Sequence, residues 1–215
     1  FMLKNQEYNK KNEKSNFLKL NLIFLVTRIV DVANSKYFKM NNRPRVFEKI
    51  EKTIAAFNLE NISKERKETL SQLIDFIQSK ILANKKINLN FVCTHNSRRS
   101  HLSQIWAQTA AHYFGLKNVF CYSGGTEATA MFPMVGKTLG NQGFQIAKLS
   151  DEKNSVYSVK YGKNEHPIMC FSKKYDDAFN PKSEFAAIMT CSHADENCPL
   201  IVGCEIRIPV RYGDP

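Results

Sequence analysis

From residue 45 onward, apolar positions recur every three or four residues. Val46, Phe47, Ile50, Ile54 and Phe57 share one face and predict an amphipathic helix. Asn61-Ile62-Ser63 punctuates, and Leu70, Leu73, Ile74, Ile77 and Ile81 predict a second helix. The period then shortens. Ile87-Asn88-Leu89-Asn90-Phe91-Val92 reads as a strand, and Leu102, Ile105, Trp106, Ala110, Tyr113 and Phe114 return to helical spacing, with Gly115 as the stop. Val119 to Ser123 predicts a short strand, Gly124-Gly125 a loop, and Pro133 to Leu139 a helix opened by its proline and closed near Gly143. Pro167 to Phe171 and Phe185 to Thr190 are unbroken apolar runs, as in strands buried on both faces, and Ile206 to Val210 predicts one more short strand. The alternation predicts an α/β class, a parallel sheet with flanking helices, preceded by a helical N-terminal extension over 40–86. No internal repeat is visible.

The chain of 215 residues, 43% of them apolar, is long enough to bury a sizeable core. Its net charge of +11 invites a nucleic-acid or membrane reading, but the charge is unevenly placed. Residues 1–90 hold 18 Lys and Arg against 9 Asp and Glu, leaving only +2 for residues 91–215. The excess sits in Lys/Asn-rich sequence, the usual composition of a solvated face, so neither nucleic acid nor membrane is an expected partner. Residues 1–39 look foreign to the rest. Asn5 to Asn16 is too polar to build a core, and Leu22 to Val26 is too short to span a bilayer. Arg28 and Asp31 spoil a signal peptide. We expect Met40 to be the natural start, with residues 1–39 a disordered or non-native leader.

Six cysteines, at 93, 121, 170, 191, 198 and 204, form no dense framework in a long, core-forming chain, so a reduced cytoplasmic thiol set is expected. Cys121 and Cys170 sit in apolar runs and read as small core residues; Cys204 is ambiguous. Cys93 is different. It ends the first strand and opens Cys93-Thr94-His95-Asn96-Ser97-Arg98-Arg99-Ser100, just before a helix. Such a loop can curl its backbone N–H groups around one anion, and the helix adds its own unsatisfied donors and dipole. The same field favours the thiolate, and Arg99 can fork two donors onto a tetrahedral oxyanion. Open α/β sheets place ligands at the carboxyl ends of their strands, where this loop lies. Cys191 and Cys198 bracket Ser192 to Asn197 in a polar loop after the last apolar strand. With His193 close by, zinc is the rival to a redox pair, but no second pair of metal ligands stands at finger-like spacing. No metal and no cofactor are expected.

The Cys93–Ser100 loop resembles the signature of the low-molecular-weight protein tyrosine phosphatases and of the thioredoxin-coupled arsenate reductases that share their fold. Cys191 and Cys198, with Asp195, Asn197 and Pro199 around them, resemble the second and third redox cysteines of those reductases. Tyr122-Ser123-Gly124-Gly125 resembles the second-strand loop of both families, and Gly213-Asp214-Pro215 the stretch holding the acid. The resemblance covers residues 87–215; residues 40–86 resemble the helical extension of a longer bacterial subgroup. Two positions depart from the pattern: His95 replaces a small residue, and Arg98 stands where the reductases often carry another cysteine. Both families continue past the acid into a C-terminal helix, so the resemblance leads us to expect that a chain ending at Pro215 is truncated.

The resemblance implies a catalytic set of Cys93, Arg99, Cys191, Cys198 and Asp214, with Thr94, His95, Asn96, Ser97, Arg98, Arg99 and Ser100 binding the oxyanion. Cys93 would attack arsenate, Cys191 would attack the adduct and expel arsenite, and Cys198 would resolve the disulfide for a thioredoxin-like dithiol. The lead expectation is therefore an arsenate reductase, since phosphatase chemistry explains neither Cys191 nor Cys198. The alternatives are a protein tyrosine phosphatase, which hydrolyses a phosphate ester through a phosphocysteine, and a non-catalytic oxyanion binder or thiol sensor.

Overall fold

The computed structural model describes residues 46–213, apart from Phe57 and Pro199. The expected leader, the start at Met40 and the acid Asp214 lie outside the described residues. The elements are α1 (Glu48–Ala55), α2 (Lys64–Leu82), β1 (Ile87–Cys93), α3 (Arg99–Tyr113), β2 (Val119–Gly125), α4 (Pro133–Asn141), β3 (Gln145–Lys148), β4 (Tyr157–Lys160), β5 (Ile168–Cys170), β6 (Phe185–Met189), α5 (Ser192–Asn197) and β7 (Cys204–Pro209). None of the described helices is long and apolar enough to cross a membrane.

The α/β class and parallel sheet are as expected. Four parallel strands run in the order β2-β1-β6-β7. Successive residues of a strand face opposite ways, and the central strands divide accordingly. Phe91, Ala186 and Ile188 join a large apolar cluster with Ile50, Leu70, Leu73, Ile77, Ile105 and Trp106 from the helices. Val92, Phe185, Ala187 and Met189 join a smaller cluster, which also holds Cys93, Cys191, Ala194 and Ile201. Helix α2 is capped by Ser63, whose hydroxyl accepts the Arg66 N–H, and it buries Leu70, Leu73 and Ile77. Chain polarity matters for the site: every parallel strand ends at the same edge, so Cys93 on β1, Gly125 on β2 and Thr190 after β6 are neighbours.

Two expectations are corrected. The run Pro167 to Phe171 does not enter the main sheet: β1 is paired on both sides, and the outer edge of β2 is occupied by the side chains of Gln104, Gln108 and Asn180. Its residues Ile168–Cys170 instead pair antiparallel with β4, in a separate sheet ordered β3-β4-β5. And Gly124-Gly125 is the last part of strand β2 rather than a loop, paired with Val92 and Cys93. Beyond β5 the chain crosses the carboxyl edge of the main sheet, where Lys174 bridges in parallel to Gly125.

The outer edge of β2 is covered by helix α3. Gln108 donates to the Val119 carbonyl through Nε2 and accepts the Cys121 N–H at Oε1, while Gln104 Nε2 donates to the Cys121 carbonyl. Farther along, Asn180 Nδ2 donates to the Ser123 carbonyl.

Candidate active site

The loop after β1 is shaped by one residue, Asn96. Its φ of +42° lies in the left-handed region, which asparagine tolerates better than most residues. Fully buried, it spends both ends of its amide on the turn. Oδ1 accepts the Lys173 N–H at 2.9 Å, and Nδ2 donates to Ser100 Oγ at 2.8 Å. Ser100 Oγ lies 3.1 Å from Cys93 Sγ. Since the hydroxyl oxygen already accepts from Asn96, its own proton is free to point at the sulfur, where it stabilises negative charge.

The outer wall of the loop is equally fixed. The His95 carbonyl accepts from Ser172 Oγ at 2.8 Å and Thr129 Oγ1 at 3.2 Å. The Thr94 carbonyl accepts from the Glu127 N–H at 2.8 Å, and the Cys93 carbonyl from the Thr126 N–H at 3.1 Å. This closeness requires glycine at 125: a Cβ there would sit 2.6 Å from the Thr94 carbonyl oxygen and 2.7 Å from the Asn96 nitrogen.

The charged groups are disposed as follows. Arg99, the first residue of α3, donates through Nη1 to the Tyr212 carbonyl at 3.3 Å, tying the chain after β7 to the loop. Arg98 places its guanidinium over the Phe132 ring, 5.4 Å from the centroid. His95 is exposed and meets Glu127 at 3.5 Å. Behind the loop, burial and then the charge of Lys173 push His101 down to about 3, so its imidazole is neutral. Lys173 is itself only 2% exposed, and burial pushes it down to about 8. Its ammonium lies over the rings of Phe171 and Phe179.

All six cysteines are free thiols. Cys121 and Cys170 are buried core residues, and desolvation raises both, Cys170 to about 12. Cys191 shares the smaller apolar cluster with Cys93 and is 1% exposed. Its sulfur lies 3.5 Å from the hydroxyl of Thr94, the residue directly after Cys93. The segment between Cys191 and Cys198 is helix α5, not the expected loop. It is too short for periodicity to reveal, and its caps are unusual. The Cys191 sulfur accepts the Ala194 N–H at 3.4 Å, and Arg207 closes the other end by donating to the carbonyls of Asp195 and Cys198. The buried Asp195 carboxylate is held by Arg207 at 2.5 Å and by Arg211, whose Nε donates at 2.6 Å. Cys198, at the far end, is partly exposed.

The structure thus brings Cys93, Thr94, Asn96, Arg99, Ser100 and Cys191 to one edge of the sheet, with Cys198 one short helix away. His95 and Arg98 turn to Glu127 and Phe132 on the rim, and Asp214 lies outside the described residues. Sequence reasoning did not single out Ser172, Lys173 or Thr129, which brace the loop from 77 and 34 residues away. The one available signal was the polar pair Ser172-Lys173 directly after an apolar run.

No protein-family model matches the chain. No curated protein matches it in sequence either. Among solved structures, the Corynebacterium glutamicum thioredoxin-dependent arsenate reductase Cg_ArsC1' is similar at a TM-score of 0.34 and 17% identity, over 88% of this chain and 86% of that one.

Proposed function

We propose that this chain is an arsenate reductase working through Cys93, Cys191 and Cys198, with a dithiol protein of the thioredoxin type as its reductant. The observation that carries the reading is the contact between Cys191 Sγ and the Thr94 hydroxyl, within the apolar cluster that also holds Cys93. A phosphate-ester hydrolase needs one thiol in its anion loop and has no use for a second one buried against it.

Arsenate is tetrahedral and anionic, and suits the backbone N–H groups of the loop and the Arg99 fork. The Cys93 thiolate attacks arsenic, and one arsenic oxygen leaves as water, protonated by Asp214. Cys191, as thiolate, then attacks the Cys93 sulfur. The new S–S bond forms as the S–As bond breaks, its electron pair stays on arsenic, and arsenite departs. Cys198 attacks the Cys191 sulfur, releasing the Cys93 thiolate, and the external dithiol reduces the Cys191–Cys198 disulfide. The last exchange requires α5 to unwind. At 1.5 Å per residue the helix holds its two cysteines roughly 10 Å apart, whereas a disulfide needs Cα atoms about 4.4–6.8 Å apart. In this reading residues 87–215 carry the chemistry and residues 46–86 brace the sheet.

The test is arsenite release with thioredoxin, thioredoxin reductase and NADPH. Cys93→Ser should release none. Cys191→Ser should stall at the Cys93–arsenic adduct. Cys198→Ser should complete about one turnover and accumulate a Cys93–Cys191 disulfide, visible by peptide mapping. Sustained turnover by Cys198→Ser at the wild-type rate would sink the relay and leave phosphate-ester hydrolysis at Cys93 as the better reading.

A further inference from the structure

We infer that His193 takes up the proton of the Cys191 thiol, through the hydroxyl of Thr94, as Cys191 attacks the Cys93 sulfur. The inference rests on the reading of Cys191 as the second thiol and adds a group that reading does not contain.

Cys191, like Cys93, is buried, and its proton needs a route out. A thiol must lose its proton to become a nucleophile, and at 1% exposure Cys191 has no direct access to water. Its sulfur meets two polar groups among the described residues. One is the Ala194 N–H at 3.4 Å, which only donates and cannot take a proton away. The other is Thr94 Oγ1 at 3.5 Å. A hydroxyl accepts and donates at once, so it can pass a proton on without keeping it. The second partner of Thr94 Oγ1 is His193 Nδ1, at 3.3 Å. His193 sits in the first turn of α5, two residues after Cys191, and is exposed to solvent. Imidazole is the side chain suited to taking up a proton near neutral pH.

The protons balance along this line. Before the step, the Cys191 S–H donates to Thr94 Oγ1, and the Thr94 O–H donates to Nδ1 of a neutral His193 that carries its hydrogen on Nε2. After it, the thiolate accepts the Thr94 O–H and Thr94 Oγ1 accepts the new Nδ1–H. Both hydrogen bonds reverse, one proton has moved from sulfur to imidazole, and the exposed ring can return it to water. The Ala194 N–H stays on sulfur throughout and stabilises the anion. Other bases nearby are engaged elsewhere: Asp195 is bound by Arg207 and Arg211, and His95 lies against Glu127. His193 acts through Thr94 and is therefore a positioning and proton-accepting residue, not one that touches substrate.

The experiment follows formation of the Cys93–Cys191 disulfide by quenched flow and peptide mapping at pH 7, in the full chain carrying Cys198→Ser. Two triggers are used separately. Arsenate tests the proposed substrate. Hydrogen peroxide oxidises Cys93 to the sulfenic acid, from which Cys191 expels hydroxide to give the same disulfide without arsenic. With peroxide, His193→Gln, which keeps a hydrogen-bonding group near Thr94 but cannot take the proton, should slow the disulfide about a hundredfold. His193→Ala should be as slow and should recover with added imidazole, as no purely structural role would. Wild-type rates in His193→Gln overturn the inference, and so does a slow His193→Ala that imidazole does not restore. If peroxide gives this pattern while arsenate yields no disulfide in any chain, the role of His193 stands and the arsenate reading falls.

Discussion

The Cys93 loop and the helix between Cys191 and Cys198 lie side by side, yet they are held by opposite means. The loop is locked by neutral hydrogen bonds from distant segments. Asn96 bonds both Lys173 and Ser100, His95 is braced by Ser172 and Thr129, and Gly125 packs against its backbone. The helix has six residues and is held mainly by charge: a buried Asp195 under two guanidiniums, one of which also caps the helix end. A loop bonded from several distant segments at once cannot shift without breaking all of them. A short helix fastened by a few ionic contacts can let go as a unit. An oxyanion site needs the first property, and a thiol that must travel needs the second.

The largest effect should come from removing the loop's rigidity. Gly125→Ala drives a methyl group into the carbonyls of Thr94 and Glu127 and the Asn96 nitrogen, none of which can yield without opening the loop. We expect a loss of about 3 kcal/mol, the upper end of overpacking costs, measured by urea denaturation. Phosphate and arsenate should no longer protect Cys93 from iodoacetamide. Retained protection at wild-type anion concentrations would show that the loop tolerates what its geometry forbids.

Next, the helix should be released alone. Asp195→Asn leaves Arg207 and Arg211 without their shared carboxylate. Both arginines are partly exposed, so the cost should be about 2 kcal/mol rather than the 3–5 of a fully buried pair. Amide exchange at Ala194 to Cys198 should accelerate more than tenfold while the amides of 94–100 stay unchanged. Equal acceleration in both places would mean that the two regions open together.

The smallest effect concerns a charge behind the loop. Lys173 is pushed from 10.5 down to about 8 by burial, so at neutral pH the folded protein pays to hold a buried ammonium. Between pH 8 and 10.5 the unfolded chain binds the proton and the folded one does not, so this residue makes stability rise with pH across that window. Lys173→Met removes the penalty, which the shift puts at about 3 kcal/mol. It also loses the contacts with Phe171 and Phe179, which in this desolvated setting are worth about 2 kcal/mol or more. We expect a net gain of at most about 1 kcal/mol at pH 7 that fades towards pH 10.5, read as the difference between the two denaturation curves. A gain independent of pH would remove the charge from the explanation.

What was legible in the sequence follows the same division. β1, the Cys93 loop and α3 stand in one unbroken stretch, where a strand end, a nucleophile and a helix start are local signals. The braces were not legible, because Ser172 and Lys173 meet the loop only after the chain has built a second sheet from strands of three or four residues. β5 lies within the apolar run Pro167 to Phe171, but β3 and β4, of four residues each, are too short for a period of two to register, so nothing marked a second sheet. Helix α5 looks like a loop in the sequence for a related reason: its caps are a thiol at its own start and an arginine from β7. The thiols themselves were visible, but the hydroxyl that joins Cys191 to the Cys93 loop belongs to the tertiary fold.

The two glutamines of α3 have a consequence for how the molecule behaves in a crowd. An exposed edge strand is a template onto which another chain can add, the first step towards swapped dimers or fibres. On β2, Gln108 offers the Val119 carbonyl and the Cys121 N–H the donor and acceptor that a fifth strand would supply, and Gln104 takes the next carbonyl. The sheet is thus closed on this side by side chains rather than by more backbone, and a stray strand finds those ladder positions already occupied.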